Sequence, residues 1–293
     1  MNRVKLIFFC HFACASEALP CRGSRRETAD AQVCANRGLS AAAGLEYSGE
    51  RFTKTFGDFI KKYGVEDMYS ATFYPFKTGR EKWAYWARHI MLNRFAPCPD
   101  DLYKKLFALV QDRDYFVITT NVDGRFEEGG FEKSRIFAVQ GDYGKIQCAK
   151  ACHDKLYDDE ELVRDMVAAQ TDCKIPAGMV PKCPVCGGRM EVNVRKDINF
   201  VQDGDWHAAS GRYEKFVKNA VKGKTVLIEP GVGYNTPAII RFPFERLTYN
   251  FEGVSLIRLN RDYPEPIEEN AAKTVSFDED MCKVTDLILK KCR

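Results

Sequence analysis

The stretch Phe116–Cys148, FVITTNVDGRFEEGGFEKSRIFAVQGDYGKIQC, decides the fold. Phe116-Val117-Ile118-Thr119-Thr120 reads as a strand that runs into Asn121-Val122-Asp123, and Ile136-Phe137-Ala138-Val139 reads as a second that runs into Gln140-Gly141. In open α/β sheets, residues just past the carboxyl ends of strands line the ligand crevice. Position 140 is therefore placed to act as a general base. It is a glutamine, which accepts no proton at any useful pH.

Outward from this stretch, helical and strand patterns alternate. The spacing predicts helices over Phe52–Tyr63, Arg80–Phe95 and Asp100–Gln111; in the second, Trp83, Trp86, Ala87 and Ile90 recur at three and four, a core-packing pattern. Further helices are expected over Asp158–Ala169, Trp206–Val221 and Met281–Lys290. Thr225–Ile228 and Ser255–Leu259 read as buried strands. Short apolar strands between helices imply an α/β fold: a Rossmann-like, doubly wound, mostly parallel sheet.

Cysteines supply the second signal. Cys148-x3-Cys152 and Cys183-x2-Cys186 form two close pairs, the second shaped by Pro184 and Gly187-Gly188. Four thiolates suit tetrahedral zinc, and a closed set of four is structural rather than catalytic. His153 adjoins Cys152, but neighbouring residues rarely both reach one ion. The other eight of the twelve cysteines, Cys98 among them, show no paired pattern, which favours a reducing, cytoplasmic setting.

Length and charge narrow the class. The chain of 293 residues, 45% apolar and 29% charged, can bury one large core or a large and a small one. A net charge of +3 gives no basis for nucleic-acid binding. The sequence offers no apolar run long enough to suggest a membrane helix. The start, MNRVKLIFFCHFACASEALPCRG, reads three ways. Two early charges, an apolar run and Ala13-Cys14-Ala15 suit a secretory leader. The alternatives are a buried first strand, or an unstructured or mispredicted start. Residues 1–28 are accordingly set apart from a single domain over 29–293, with a helical insertion at about 52–112 and a zinc module at about 146–192.

Taken together, the motifs resemble the sirtuins. These are Gly38-Leu39-Ser40-Ala41-Ala42-Ala43-Gly44, Thr120-Asn121-Val122-Asp123, Gln140-Gly141 and the four cysteines. Glu46–Phe52 replaces the Pro-Asp-Phe-Arg stretch usual in deacylating sirtuins, and Asn193–Asp197 and Glu229–Pro237 resemble class M, the macrodomain-linked microbial group, whose members carry glutamine where deacylating sirtuins carry histidine. The resemblance implies NAD-dependent protein mono-ADP-ribosylation, directed at a lipoylated glycine-cleavage H-like carrier and reversed by a macrodomain hydrolase. It assigns catalysis to Asn121, Gln140 and Arg195. It places Ala35, Gly38, Ser40, Gly44, Thr120, Asn121, Asp123, Gly231, Gly233, Asn260 and Arg261 around NAD. Each has a plainer reading: Asn121 and Asp123 as turn residues, Arg195 as a solvated charge, Gly231-Val232-Gly233 as a tight turn.

One departure bears on NAD. The family's Gly-Ala-Gly-Ala-Gly-Leu-Ser corresponds to Cys34-Ala35-Asn36-Arg37-Gly38-Leu39-Ser40, so two glycines are replaced and Arg37 is new. Glycine lets backbone approach a ligand at positive φ. Two alternatives to transfer therefore stand: a deacylase, which Gln140 disfavours, and a catalytically weak NAD- or ADP-ribose-binding module.

Overall fold

The computed structural model describes residues 4–10, 38–234 and 237–291. Six parallel strands form the main sheet: β1 (Lys5–Cys10), β2 (Asp114–Thr119), β3 (Ile136–Ala138), β7 (Thr225–Pro230), β8 (Val254–Leu259) and β9 (Thr274–Phe277), in the order β3-β2-β1-β7-β8-β9. The order reverses between β1 and β7. A crevice opens at such a switch point.

Side-chain alternation along β2 explains the layers. Tyr115 and Val117 face a core with Leu39, Leu102, Leu106, Val110 and Val284. Phe116 and Ile118 face the opposite core with Ile7, Leu227, Phe244 and Leu256. The first layer is α1 (Leu39–Ala42), α5 (Leu102–Val110) and α10 (Met281–Lys291); the second is α8 (Gly204–Ala220) and α9 (Arg241–Asn250). Strands covered on both faces need continuous apolar runs, and β2 and β7 have them.

Within the start of the chain, Lys5–Cys10 forms a strand of the main sheet. Lys5–Cys10 lies between β2 and β7, with Ile7 opposite both Phe116 and Leu227. Domain bounds opening at residue 29 therefore leave out a central strand of the sheet. The leader-like site at Ala13–Ala15 and the altered loop, Ala35 included, lie outside the described residues.

A smaller lobe stands beside the sheet. It combines α2 (Gly49–Tyr63), α3 (Met68–Thr72), α4 (Gly79–Ile90) and α7 (Glu160–Ala168) with an antiparallel sheet of β5 (Tyr157–Asp158), β4 (Gly141–Cys148) and β6 (Met190–Val194). One core joins them: Phe52, Phe56, Phe59 and Tyr85 from the insertion meet Ile146, Val163, Met190 and Val192 from the cysteine module. Insertion and zinc module are thus one packing unit. Helix α5, read from the sequence as part of the insertion, packs on the main sheet instead. Glycines and charged residues interrupt the apolar pattern of β4, and its strand is recognisable only through its pairing with β6.

Candidate functional site

Strand register puts Asn121 and Gln140 at matching positions past the ends of neighbouring strands. Thr119 of β2 pairs with Ala138 of β3, so each residue lies two positions beyond a paired one. Neighbouring strands run about 4.8 Å apart. Both side chains are buried, at 3% and 2% exposure.

A compact polar network holds Asn121. Its Nδ2 donates to Ser40 Oγ at 2.7 Å and to the Tyr103 hydroxyl at 3.2 Å. Ser40 donates to Asp123 Oδ2 at 2.6 Å. Asp123 Oδ1 accepts the Arg125 N–H. Burial raises the Asp123 pKa, against the lowering pull of Ser40 and Arg125. Thr120 is fully buried between Thr119 and Asn121. Tyr103 was not legible as a site residue, because it belongs to the apolar face of α5 and only the fold carries it to Ser40.

Gln140 opens the cysteine lobe. Gly141 follows it at φ +99°, where a Cβ would come 1.9 Å from the Asn193 carbonyl oxygen, so β6 passes too close for any side chain. Arg195, just past β6, donates its backbone N–H to the Gln140 carbonyl at 3.0 Å. The Arg195 guanidinium lies over Phe200, 4.7 Å from the ring centre, and burial lowers its pKa. Gln140 Oε1 is buried and has no hydrogen-bond partner among the described residues. An unsatisfied buried acceptor costs about 1–3 kcal/mol, which makes this atom a natural contact for a bound polar group.

The remaining candidates gather at the ends of β7 and β8. Gly231, at φ +71°, is packed on the Gly38–Leu39 backbone; a Cβ would sit 2.9 Å from Leu39 N. That contact joins the two halves of the crevice across the switch point. Gly233 faces open space, and Gly44 turns at φ +79° against Pro99. Asn260 ties the two loops together: Nδ2 donates to the Val232 carbonyl at 2.6 Å, and Oδ1 accepts the Asp262 and Tyr263 N–H groups. Arg261 is exposed. Behind these loops lies a buried ionic cluster that sequence reasoning missed. Arg258 binds Glu229 at 2.6 Å and Glu245 at 3.0 Å, and Arg241 stacks on Tyr234 at 4.5 Å. The two Arg and two Glu side chains balance in charge, which permits their burial.

The four cysteine sulfurs lie within 4.8 Å of one another. Cys148 and Cys186 are 3.7 Å apart, Cys152 and Cys183 3.6 Å. Zinc–sulfur bonds of about 2.3 Å in a tetrahedron put sulfurs roughly 3.8 Å apart, so the cluster fits zinc. Backbone N–H groups of Cys152 and Lys150 lower the Cys148 thiol while the neighbouring sulfurs raise that of Cys152, so the crowded sulfurs share protons that a bound metal would displace. His153 sits beside the cluster: Nδ1 is 3.1 Å from Cys152 Sγ, while Nε2 contacts the Tyr157 hydroxyl. Replacing Cys148, Cys152, Cys183 or Cys186 by serine is expected to lower bound zinc and the melting temperature together, because a structural metal contributes to folding. Metal analysis beside thermal unfolding checks this, and a folded, metal-free parent protein contradicts it.

No helix among the described residues is long and apolar enough to cross a membrane. No family model matches the chain. A protein ADP-ribosyltransferase from Staphylococcus aureus strain Mu50 is 37% identical over 257 residues, 86% of this chain and 81% of the relative. A Fusarium oxysporum f. sp. cubense protein, named as a probable bifunctional ADP-ribose hydrolase/ADP-ribosyltransferase, is 32% identical over 243 residues, 78% of this chain and 39% of that longer protein. Among solved structures, one on the structural basis of sirtuin substrate affinity aligns at a TM-score of 0.53 with 13% identity, covering 99% of this chain and 94% of its own. Another, on the mechanism and regulation of Sir2 enzymes, aligns at 0.51 with 15% identity, covering 100% and 94%. The structural matches are too distant in sequence to show more than fold, and the fold they show is the sirtuin one. Identity to the S. aureus transferase over most of both chains supplies the rest: this chain belongs to the protein ADP-ribosyltransferase family of sirtuins.

Proposed function

We propose that this protein transfers single ADP-ribose units from NAD to a protein acceptor, and that the acceptor is a lipoylated H-like carrier. The observation that carries the reading is Gln140, buried at the strand end with an unpartnered Oε1. When bound, NAD supplies the ADP-ribosyl group and a nicotinamide leaving group. The bond from C1′ to nicotinamide breaks, a bond from C1′ to the acceptor forms, and the acceptor's proton passes to solvent. Gln140 can orient a hydroxyl or a nucleophile but cannot take that proton. A deacylase needs a base here, and losing a positioned base costs about 10²–10⁴ in rate.

In this reading Asn121 orients the ribose through the amide that Ser40 and Tyr103 hold in place. Asp123 fixes the loop, and Arg195 orients the acceptor from the rim at Phe200. Gly38, Gly231 and Gly233 let backbone approach the cofactor, with Asn260 bracing their loop. The hydrolase named in the Fusarium relative supports a partner that removes the modification, a macrodomain hydrolase. Zinc thiolates suit a reducing, cytoplasmic setting.

The test is labelled NAD incubated with this protein and lipoylated carrier, beside an acyl-lysine peptide. Label on the carrier without loss of the acyl group supports transfer. Label on neither, with NAD still bound, would favour a binding module.

A further inference from the structure

Main-chain bonds join the Asn121 loop to the Gln140 strand, from the Tyr143 N–H to the Val122 carbonyl at 2.8 Å and, at the strand ends, from the Val139 N–H to the Thr119 carbonyl at 2.9 Å. A further tie comes from the smaller lobe. Helix α4 does not stop at Ile90 but widens into a π turn, Met91–Phe95, closed by the Ala96 N–H on the Met91 carbonyl at 2.7 Å. Such turns recur at functional sites. Arg125, which opens α6 (Arg125–Glu128) after Asp123, grips this one by donating to the Asn93 carbonyl at 2.6 Å and the Ala96 carbonyl at 2.8 Å. Arg51 donates to the Leu92 carbonyl at 2.9 Å and to Asn93 Oδ1 at 2.8 Å.

The turn itself projects Arg94 between the two catalytic loops. Nε donates to Asp142 Oδ1 at 2.7 Å and the terminal nitrogen to Oδ2 at 3.2 Å. The same guanidinium lies on Gly124: a Cβ at that position would be 2.3 Å from Arg94 Cζ. Gly124 adopts φ +66°, one residue beyond Asp123, and Asp142 is two residues beyond Gln140. One planar group therefore touches the backbone of one loop and the side chain of the other.

We propose that Arg94, seated on Gly124 and paired with Asp142, is a positioning residue for the transfer, setting the distance between Asn121 and Gln140. The inference rests on the transferase reading above. The side chains of the pair are about a quarter exposed, at 22% and 25%, so the pair contributes modestly to stability. Its effect falls on geometry, where a displacement of ~1 Å costs on the order of 10²-fold in rate. Lysine cannot replace the planar fork that reaches both carboxylate oxygens.

The test is steady-state labelling of the carrier by Arg94→Met, Arg94→Lys, Asp142→Asn and the Arg94→Met/Asp142→Asn double variant. Zinc content and melting temperature are measured alongside. The expected results are a fall in kcat of about 10²-fold for Arg94→Met, with KM for NAD within about threefold and zinc retained. Arg94→Lys should recover only part of the loss. Asp142→Asn should fall by about tenfold. The double variant should be no slower than Arg94→Met, because the two residues act as a unit. Unchanged kcat in folded Arg94→Met, additive losses in the double variant, or a rise in KM that accounts for the whole effect overturns the proposal. Should Arg94→Met fail to fold, Asp142→Asn decides: an unchanged kcat rejects the clamp. Gln140→Ala, run in parallel, separates the two levels. If it loses labelling while the Arg94 variants keep it, the clamp fails and the transferase reading stands. A parent protein that labels no carrier removes both.

Discussion

Asn121→Ala is expected to lower carrier labelling by about 10²–10³-fold while leaving the protein folded. The residue lies at the strand end, and its side chain ties to the rest of the protein through Nδ2 on Ser40 and Tyr103. Removing that amide leaves Ser40 bonded to Asp123, and the Tyr103 hydroxyl within 3.1 Å of Ser40. The stability loss is therefore that of ordinary hydrogen bonds, about 0.5–1.5 kcal/mol each. The rate loss is larger because the amide is held before substrate arrives, and a preorganised group needs no rearrangement in the transition state. Asn121→Asp keeps the size but replaces a donor with an acceptor facing Ser40, and should be as slow. Labelling rates and thermal melts on the same preparations check both variants. Parent-like labelling by folded Asn121→Ala would remove the residue from catalysis.

Gln140→Ala is expected to reduce labelling by about 10²–10³-fold as well. Gln140→His is expected to install no strong deacylase activity. The alanine variant removes the orienting amide and leaves Gly141 and the Arg195 backbone bond in place. The histidine variant adds a base without building a channel for acyl-lysine. Glu46–Arg51 does not resemble the deacylase stretch, and Arg51 is committed to the Glu46 and Leu92 carbonyls and to Asn93. A base displaced by ~1 Å is worth little. The variants are followed by nicotinamide release and acyl-peptide turnover together. Robust acyl-lysine turnover by Gln140→His would show that the position has been misread.

Four strands of the main sheet, β2, β3, β7 and β8, are legible as short apolar runs, and Tyr115, Phe116, Val117 and Ile118 of β2 each find a core, whereas Thr274–Phe277 is half exposed and gives no such signal. Asn121 and Gln140 were legible for the same reason: a strand end followed by polar residues needs no long-range information. The cysteines announced themselves by spacing. The β4–β6 pairing was not readable, since Gly141, Gly144 and Lys145 break any alternation and the strand exists through its partner. The place of Lys5–Cys10 depends on Phe116 and Leu227, more than a hundred residues away on either count. Tyr103, Arg94 and the Glu229–Arg258 cluster look like ordinary helix or strand residues until the fold brings their partners to them. Long-range polar contacts leave no local pattern in sequence.

In the reading proposed above, Gln140 makes this enzyme a transferase to protein and not a deacylase. The most direct measurement is the ratio of carrier-bound ADP-ribose to nicotinamide released, from NAD with lipoylated carrier and acylated peptide in one reaction. The expected ratio is close to one-to-one, with the acyl-peptide intact. Nicotinamide released in step with loss of the acyl group, and no label on the carrier, would contradict it.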